Sequence, residues 1–142
     1  MALRAWKGQV YAIEKKEDAL ALLKENRRKF ATDNLEIVPG TAPEAMVELP
    51  VPTHAFIGGS SGNMNEIIRL LLDKNPGVRI VINCITLETV TEAMNAIRDF
   101  GLTDVDIVQL SAARSKSIGR YHMMMGENPI YIISCSGRGE EI

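Results

Sequence analysis

Apolar positions along this chain fall into short runs that alternate with longer amphipathic stretches. Val10-Tyr11-Ala12-Ile13 is a run of strand length that stops at Glu14. From Lys16 to Phe30, Ala19, Leu22, Leu23 and Phe30 recur at helical spacing with charges on the other side, which predicts a helix. Leu35-Glu36-Ile37-Val38 reads as a second strand closed by Pro39-Gly40, and a short helical piece is expected around residues 43–47. A third strand runs through Phe56-Ile57 into Gly58-Gly59-Ser60-Ser61-Gly62. The helix expected over 65–73 has Asn63 as its cap and Glu66 three residues on, the spacing of a capping box. Val78 to Asn83 predicts a fourth strand. Thr86 then caps a helix whose expected core face is Leu87, Val90, Met94, Ile97 and Phe100, with Gly101 as its stop. Two final strands, 106–110 and 129–134, flank a polar, methionine-containing connection of about 18 residues, too long for a tight hairpin turn.

Apolar strands alternating with amphipathic helices indicate a mostly parallel sheet covered on both faces. The last two strands have no helix between them and are expected as antiparallel neighbours at one edge. A parallel sheet finished in this way is the arrangement of methyltransferases that use S-adenosylmethionine, and 142 residues fit one such domain. The balance of 16 basic and 18 acidic residues exerts no global pull toward nucleic acid or anionic membrane. No apolar run approaches the roughly 18 residues of a membrane span, and the opening residues lack the pattern of a signal peptide. Cys84 and Cys135 are isolated in apolar contexts and read as buried free thiols. Together these features point to the cytoplasm. His54 and His122 have no second ligand at metal spacing, so no metal site is expected.

The candidate chemistry lies at strand ends, where open α/β sheets bind ligands. Glu14 is placed to accept hydrogen bonds from the two hydroxyls of a ribose; the plainer reading is a solvated acid at a helix start beside Lys15 and Lys16. Backbone amides and a small hydroxyl in Gly40-Thr41-Ala42 can read an adenine edge, or simply form a strand-to-helix turn. Gly58 to Gly62 lets a ligand approach the backbone closely at a helix N-terminus.

Val10-Tyr11-Ala12-Ile13-Glu14-Lys15, Gly40-Thr41-Ala42-Pro43-Glu44-Ala45, Leu49-Pro50-Val51-Pro52, Phe56-Ile57-Gly58-Gly59-Ser60 and Asn83-Cys84-Ile85-Thr86-Leu87-Glu88 closely resemble the decarboxylating precorrin methyltransferases of cobalamin biosynthesis. The resemblance implies a Rossmann-like fold and methyl transfer from S-adenosylmethionine to a ring carbon of a tetrapyrrole, with loss of carbon dioxide from an acetate side chain. It implies that Glu14 binds the cofactor's ribose and that Gly40, Thr41 and Ala42 lie beside its adenine. Gly58, Gly59 and Ser60 would line the cleft near the methionine portion. The substrate carries several carboxylates, and Arg114, Lys116 and Arg120 in the long connection are candidates to pair with them. Asn83 and Thr86 are expected to face the same cleft, although Thr86 also suits a plain helix cap. Met123-Met124-Met125 reads as core or subunit interface before substrate contact.

Family members begin with a further strand and a Gly-x-Gly loop, and this sequence has neither, so the fold is expected without its first strand. Edges on the strands ending at Glu14 and Gly58 would then need a rearrangement, an oligomer contact or a partner. A homo-oligomer is the expectation. The competing reading is a catalytically silent homologue that serves as an oligomeric assembly subunit.

Overall fold

The computed structural model describes residues 1–59 and 62–139, and the chain divides into two compact units, Met1–Pro50 and Val51–Ile142. The first unit is a βαβ element. Strand β1 (Val10–Glu14) and strand β2 (Leu35–Pro39) pair in parallel, Val10 opposite Leu35 and Glu14 opposite Pro39. Helix α1 (Glu17–Lys29) makes the crossover. Its acids Glu17 and Asp18 sit in the first turn and Arg27, Arg28 and Lys29 in the last, as the helix dipole favours. A single 3-10 turn, Glu44–Met46, follows β2. The Asn34 amide donates to the carbonyl oxygens of Ala2, Ala5 and Gly8 at 3.0, 2.7 and 3.1 Å and holds the opening segment in place. No residue of α1 is buried, and two members of its expected apolar stripe, Leu22 and Phe30, are 59% and 51% exposed.

The second unit contains β3 (His54–Ile57), α2 (Met64–Lys74), β4 (Arg79–Cys84), α3 (Leu87–Asp99), β5 (Thr103–Leu110), β6 (Ala113–Ile118), β7 (Tyr121–Gly126) and β8 (Ile130–Ser136). Its main sheet has the order β3-β4-β8-β5. Strands β3 and β4 are parallel, and β8 runs antiparallel to both β4 and β5. The two closing strands are thus antiparallel neighbours, with β5 at the edge. Ile80 lies opposite Cys135 and Ile82 opposite Ile133, and these four side chains are fully buried on one sheet face. Met64, Ile67, Ile68 and Leu71 of α2 and Ala93 and Ala96 of α3 complete this core.

Three local expectations are corrected. The buried face of α3 centres on Ala93 and Ala96, while Leu87 is 72% and Met94 42% exposed. Small residues let the helix backbone approach its neighbours, so the contact face follows close approach and not side-chain size. Asn63 occupies the N-cap position of α2, but its side chain makes no cap hydrogen bond. Its backbone (φ −103°, ψ 23°) lies outside the extended region from which a cap reaches the next turn. The long connection before β8 is itself structured: β6 and β7 form a two-stranded antiparallel ribbon, Ala113 opposite Gly126 and Ile118 opposite Tyr121. Gly119, at φ 58°, and Arg120 make its two-residue turn, which needs a residue free of the Cβ penalty at its first position.

Candidate functional site

In the first unit the site is built at the carboxyl end of the β1–β2 ladder. Glu14 closes β1, and its Oε1 accepts hydrogen bonds from the backbone amides of Lys15 at 2.8 Å and Lys16 at 2.9 Å. These amides lead directly into α1, whose N-cap residue Lys16 supplies no side-chain cap. The carboxylate of the strand end therefore caps the helix. Donation by the Lys16 amide, then by that of Lys15, holds the Glu14 carboxyl below the usual glutamate range, so it is ionised at neutral pH. Gly40 donates its amide to the Glu14 carbonyl oxygen at 3.0 Å and extends the ladder by one step. At φ 148°, and with a Cβ there set to meet the Ala45 Cβ at 3.0 Å, this turn requires glycine. The Thr41 carbonyl accepts from the Ala45 amide at 2.9 Å, and Ala42 precedes Pro43 through a cis peptide bond. Glu14, Gly40, Thr41 and Ala42 are thereby gathered at one end of the β1–β2 ladder, an ionised acceptor beside a small-residue turn.

In the second unit the corresponding end of β3 and β4 carries Gly58 and Asn83. Each stands one step beyond the Ile57–Ile82 pair of the parallel ladder. Gly58 and Gly59 are exposed, and a Cβ on Gly59 would meet nothing within 4 Å, so this turn borders open space. Ser60, the third residue expected in this turn, lies outside the described residues. The Asn83 Oδ1 is buried and, among the described residues, has no hydrogen-bond partner. Leaving such an acceptor unpaired costs about 1–3 kcal/mol. Thr86 caps α3: its Oγ1 accepts from the Thr89 amide at 3.2 Å and shares a hydrogen bond with the Thr89 Oγ1 at 2.9 Å.

The three candidate cations lie on the ribbon. Arg114 and Lys116 alternate on β6 and share a face, directly opposite Met125 and Met123 of β7. Arg120 occupies the turn, where its guanidinium donates to the Tyr121 hydroxyl at 2.9 Å and lies 5.2 Å from the centre of that ring. All three are exposed, as are Met123, Met124 and Met125, which excludes these methionines from the core of this chain. Because Leu110 pairs with Ile130, and Tyr131 with Cys84, the ribbon leaves the sheet at the same end of the strands as Gly58 and Asn83. The ribbon is the element that sequence reading missed; Gly119-Arg120, a Gly-first two-residue loop, was the signal for it.

Among the described residues no group of three or more His, Cys, Asp or Glu side chains is placed to hold a metal ion. His54 is exposed, with its Nδ1 3.0 Å from the Thr53 Oγ1. Burial pushes the thiols of Cys84 and Cys135 up from their ordinary pKa. No described helix is long and apolar enough to cross a membrane.

Comparison with known proteins adds the lineage. The family model described as a precorrin methyltransferase domain matches residues 1–136. A cobalt-precorrin-6B C(15)-methyltransferase (decarboxylating) of Salmonella typhimurium is 35% identical over 128 residues, 89% of this chain and 66% of its own length. The structure of a precorrin-6y C5,15-methyltransferase from Geobacter metallireducens matches with a TM-score of 0.80 at 34% identity, over 91% of this chain and 68% of that one. A precorrin 8W decarboxylase from Methanobacterium thermoautotrophicum matches with a TM-score of 0.79 at 39% identity, over 89% and 69%. The chain spans just under two thirds of the curated relatives it matches, 65–66% of their length. The chain belongs to the precorrin methyltransferase family.

Proposed function

We propose that this chain acts in S-adenosylmethionine-dependent methylation of a ring carbon of a precorrin-type tetrapyrrole, coupled to decarboxylation of an acetate side chain, in cobalamin biosynthesis. The observation that carries this reading is the Glu14 carboxylate. It is held ionised by two amides at the end of β1, beside a turn that only glycine can make. That arrangement suits the family's cofactor: a charged acceptor for a ribose diol and a small-residue turn beside it. The Asn83 Oδ1, which has no hydrogen-bond partner among the described residues, is an acceptor open to a donor in the second unit. When bound, S-adenosylmethionine supplies an electrophilic methyl group. Gly40, Thr41 and Ala42 would border its adenine, and Gly58, Gly59 and Ser60 its methionine portion.

The remaining work falls to positioning. Alignment of two reactants with exclusion of water is worth up to roughly 7–11 kcal/mol. Arg114, Lys116 and Arg120 are read as carboxylate partners of the substrate, and Asn83 and Thr86 as groups lining its side of the cleft. We read residues 1–142 as one methyltransferase domain, a view supported by a single family match that runs through both units. We read the protein as a cytoplasmic homo-oligomer, in keeping with the exposed edge strand β5 and ribbon.

Calorimetric titration with S-adenosylhomocysteine tests the cofactor assignment. Glu14→Ala is expected to weaken binding on the order of tenfold or more, the effect of losing hydrogen bonds to a charged acceptor, with a fall in melting temperature no larger than the loss of one helix cap brings. Equal affinity of wild type and variant would return Glu14 to a purely structural cap.

A further inference from the structure

Every residue of the ribbon, 113–126, is exposed, so neither of its faces is covered. A lone two-stranded hairpin is marginal in water. This one carries Ile118, Tyr121, Met123 and Met125 on the face it shares with Arg114 and Lys116. The same chain exposes a second surface of opposite character. Strand β5 is the sheet's edge, with Val105, Ile107, Val108 and Leu110 in solvent beside Asp104 and Asp106. A basic, methionine-lined arm and an acidic, apolar edge strand are complementary. A second copy of the chain offers both, and a symmetric pair would satisfy both at once.

Cation placement along the arm adds a functional point. Arg114 is one residue from the base of the ribbon, and Arg120 is in its terminal turn. Six strand residues separate base from tip by about 20 Å. Arg114 thus stays by the end of the β5–β8 pair, the same end of the sheet at which β3 and β4 carry Gly58 and Asn83, while Arg120 is carried away from it. The Arg120 guanidinium lies against the hydroxyl and ring of Tyr121, and among the described residues it forms no ion pair with a carboxylate. A guanidinium with open donors is suited to reading an external carboxylate.

We propose that the arm crosses to a second copy and that Arg120 at its tip binds a carboxylate of the tetrapyrrole held there, so each substrate site combines Arg114 of one copy with Arg120 of another. The inference rests on the tetrapyrrole reading above. The experiment uses the full chain and uroporphyrin, a polycarboxylate tetrapyrrole, followed by fluorescence titration with light scattering on every sample. Arg114→Ala and Arg120→Ala should each bind about tenfold more weakly than wild type, both still assembled, with Arg120→Lys in between. Co-expressing the two alanine variants should restore wild-type affinity in about a quarter of the sites, because random assembly gives that fraction an intact Arg114 and an intact neighbouring tip. If Arg120 acted within its own chain, no site would hold both cations, and a mixture as weak as its parents would overturn the proposal. A wild type that scatters as a monomer while binding porphyrin would overturn it equally. A wild type that binds no porphyrin would instead remove the tetrapyrrole reading on which it stands.

Discussion

The two units of this chain are built from the same alternation of strand and helix, yet they bury their residues very differently. In the second unit β4 has a ladder on each edge and alternates half-buried and fully buried positions from Arg79 to Cys84. In the first, β1 is at least as apolar but has a ladder on one edge only, and all five of its residues stay half-buried. Among the described residues every buried apolar side chain except Met46 belongs to the second unit. The helices tell the same story. Charged residues occupy seven of the thirteen positions of α1 but four of thirteen in α3, so α1 has too narrow an apolar stripe to bury any residue fully. Apolar content alone does not decide what becomes core. The number of neighbours a strand has, and how closely a helix can approach, decide it.

The strongest way to break this comparison is to truncate one apolar side chain in each unit. Ile80→Ala removes a fully buried side chain from the centre of the second unit's sheet and is expected to cost about 2–5 kcal/mol. Leu22→Ala, on the exposed stripe of α1, should cost less than about 1 kcal/mol. Urea unfolding of the two variants is the measurement. Comparable losses would mean that Leu22 is covered in solution and that the first unit has a core of its own.

Glycines sharpen the same contrast at smaller magnitude. Gly137, just beyond β8, donates its amide to the Val78 carbonyl at 3.0 Å, and a Cβ there would run into the Pro76 carbonyl oxygen and the Leu72 side chain. Gly137→Ala should therefore cost about 1–3 kcal/mol, because backbone must shift to admit the methyl group. Gly59→Ala meets open space and should leave stability within about 0.5 kcal/mol. If Gly59 borders the cofactor, that neutral variant will still lose affinity for S-adenosylhomocysteine. Unchanged affinity would remove it from the proposed site.

What could be read from the sequence, and what could not, follows from the same physics. Glu14, Gly40 and Thr86 stand at strand ends or helix starts, where the requirement is local: an acceptor for free amides, a backbone without Cβ, a hydroxyl within one turn. The strands β1 to β4 were legible because their apolar runs are bounded by turn residues. The ribbon was not, because Ala113-Arg114-Ser115-Lys116-Ser117 and His122-Met123-Met124-Met125 have no covered face and so no period-two contrast to reveal them. The face of α3 was misread because alanine carries little hydrophobic weight on a wheel, although it sets the distance of approach. The position of β8 between β4 and β5 depends on pairing of residues some fifty apart in sequence, Ile80 with Cys135 for example, which no local pattern encodes.

The last comparison concerns how the two units start their helices. In the second, Thr86 caps α3 with a hydroxyl that does not titrate, and Thr86→Ala should cost about 1 kcal/mol at any moderate pH. In the first, the amides at the start of α1 rest on the Glu14 carboxylate, so this cap depends on charge. Those amides depress the folded pKa of Glu14 below its unfolded value of about 4.3. A group depressed on folding contributes its stabilisation fully above the unfolded pKa and loses it as pH falls through the folded one. Above about pH 5 the Lys15 and Lys16 amide resonances should thus be insensitive to pH, and they should move only on acidification below the ordinary glutamate range. Glu14→Gln should shift both resonances at neutral pH and abolish their acid titration, while Thr86→Ala leaves them unmoved. Amide shifts that titrate at or above about 4.3 would show that the carboxylate is not held by these donors in solution, and the first unit would lose the feature on which its site is built.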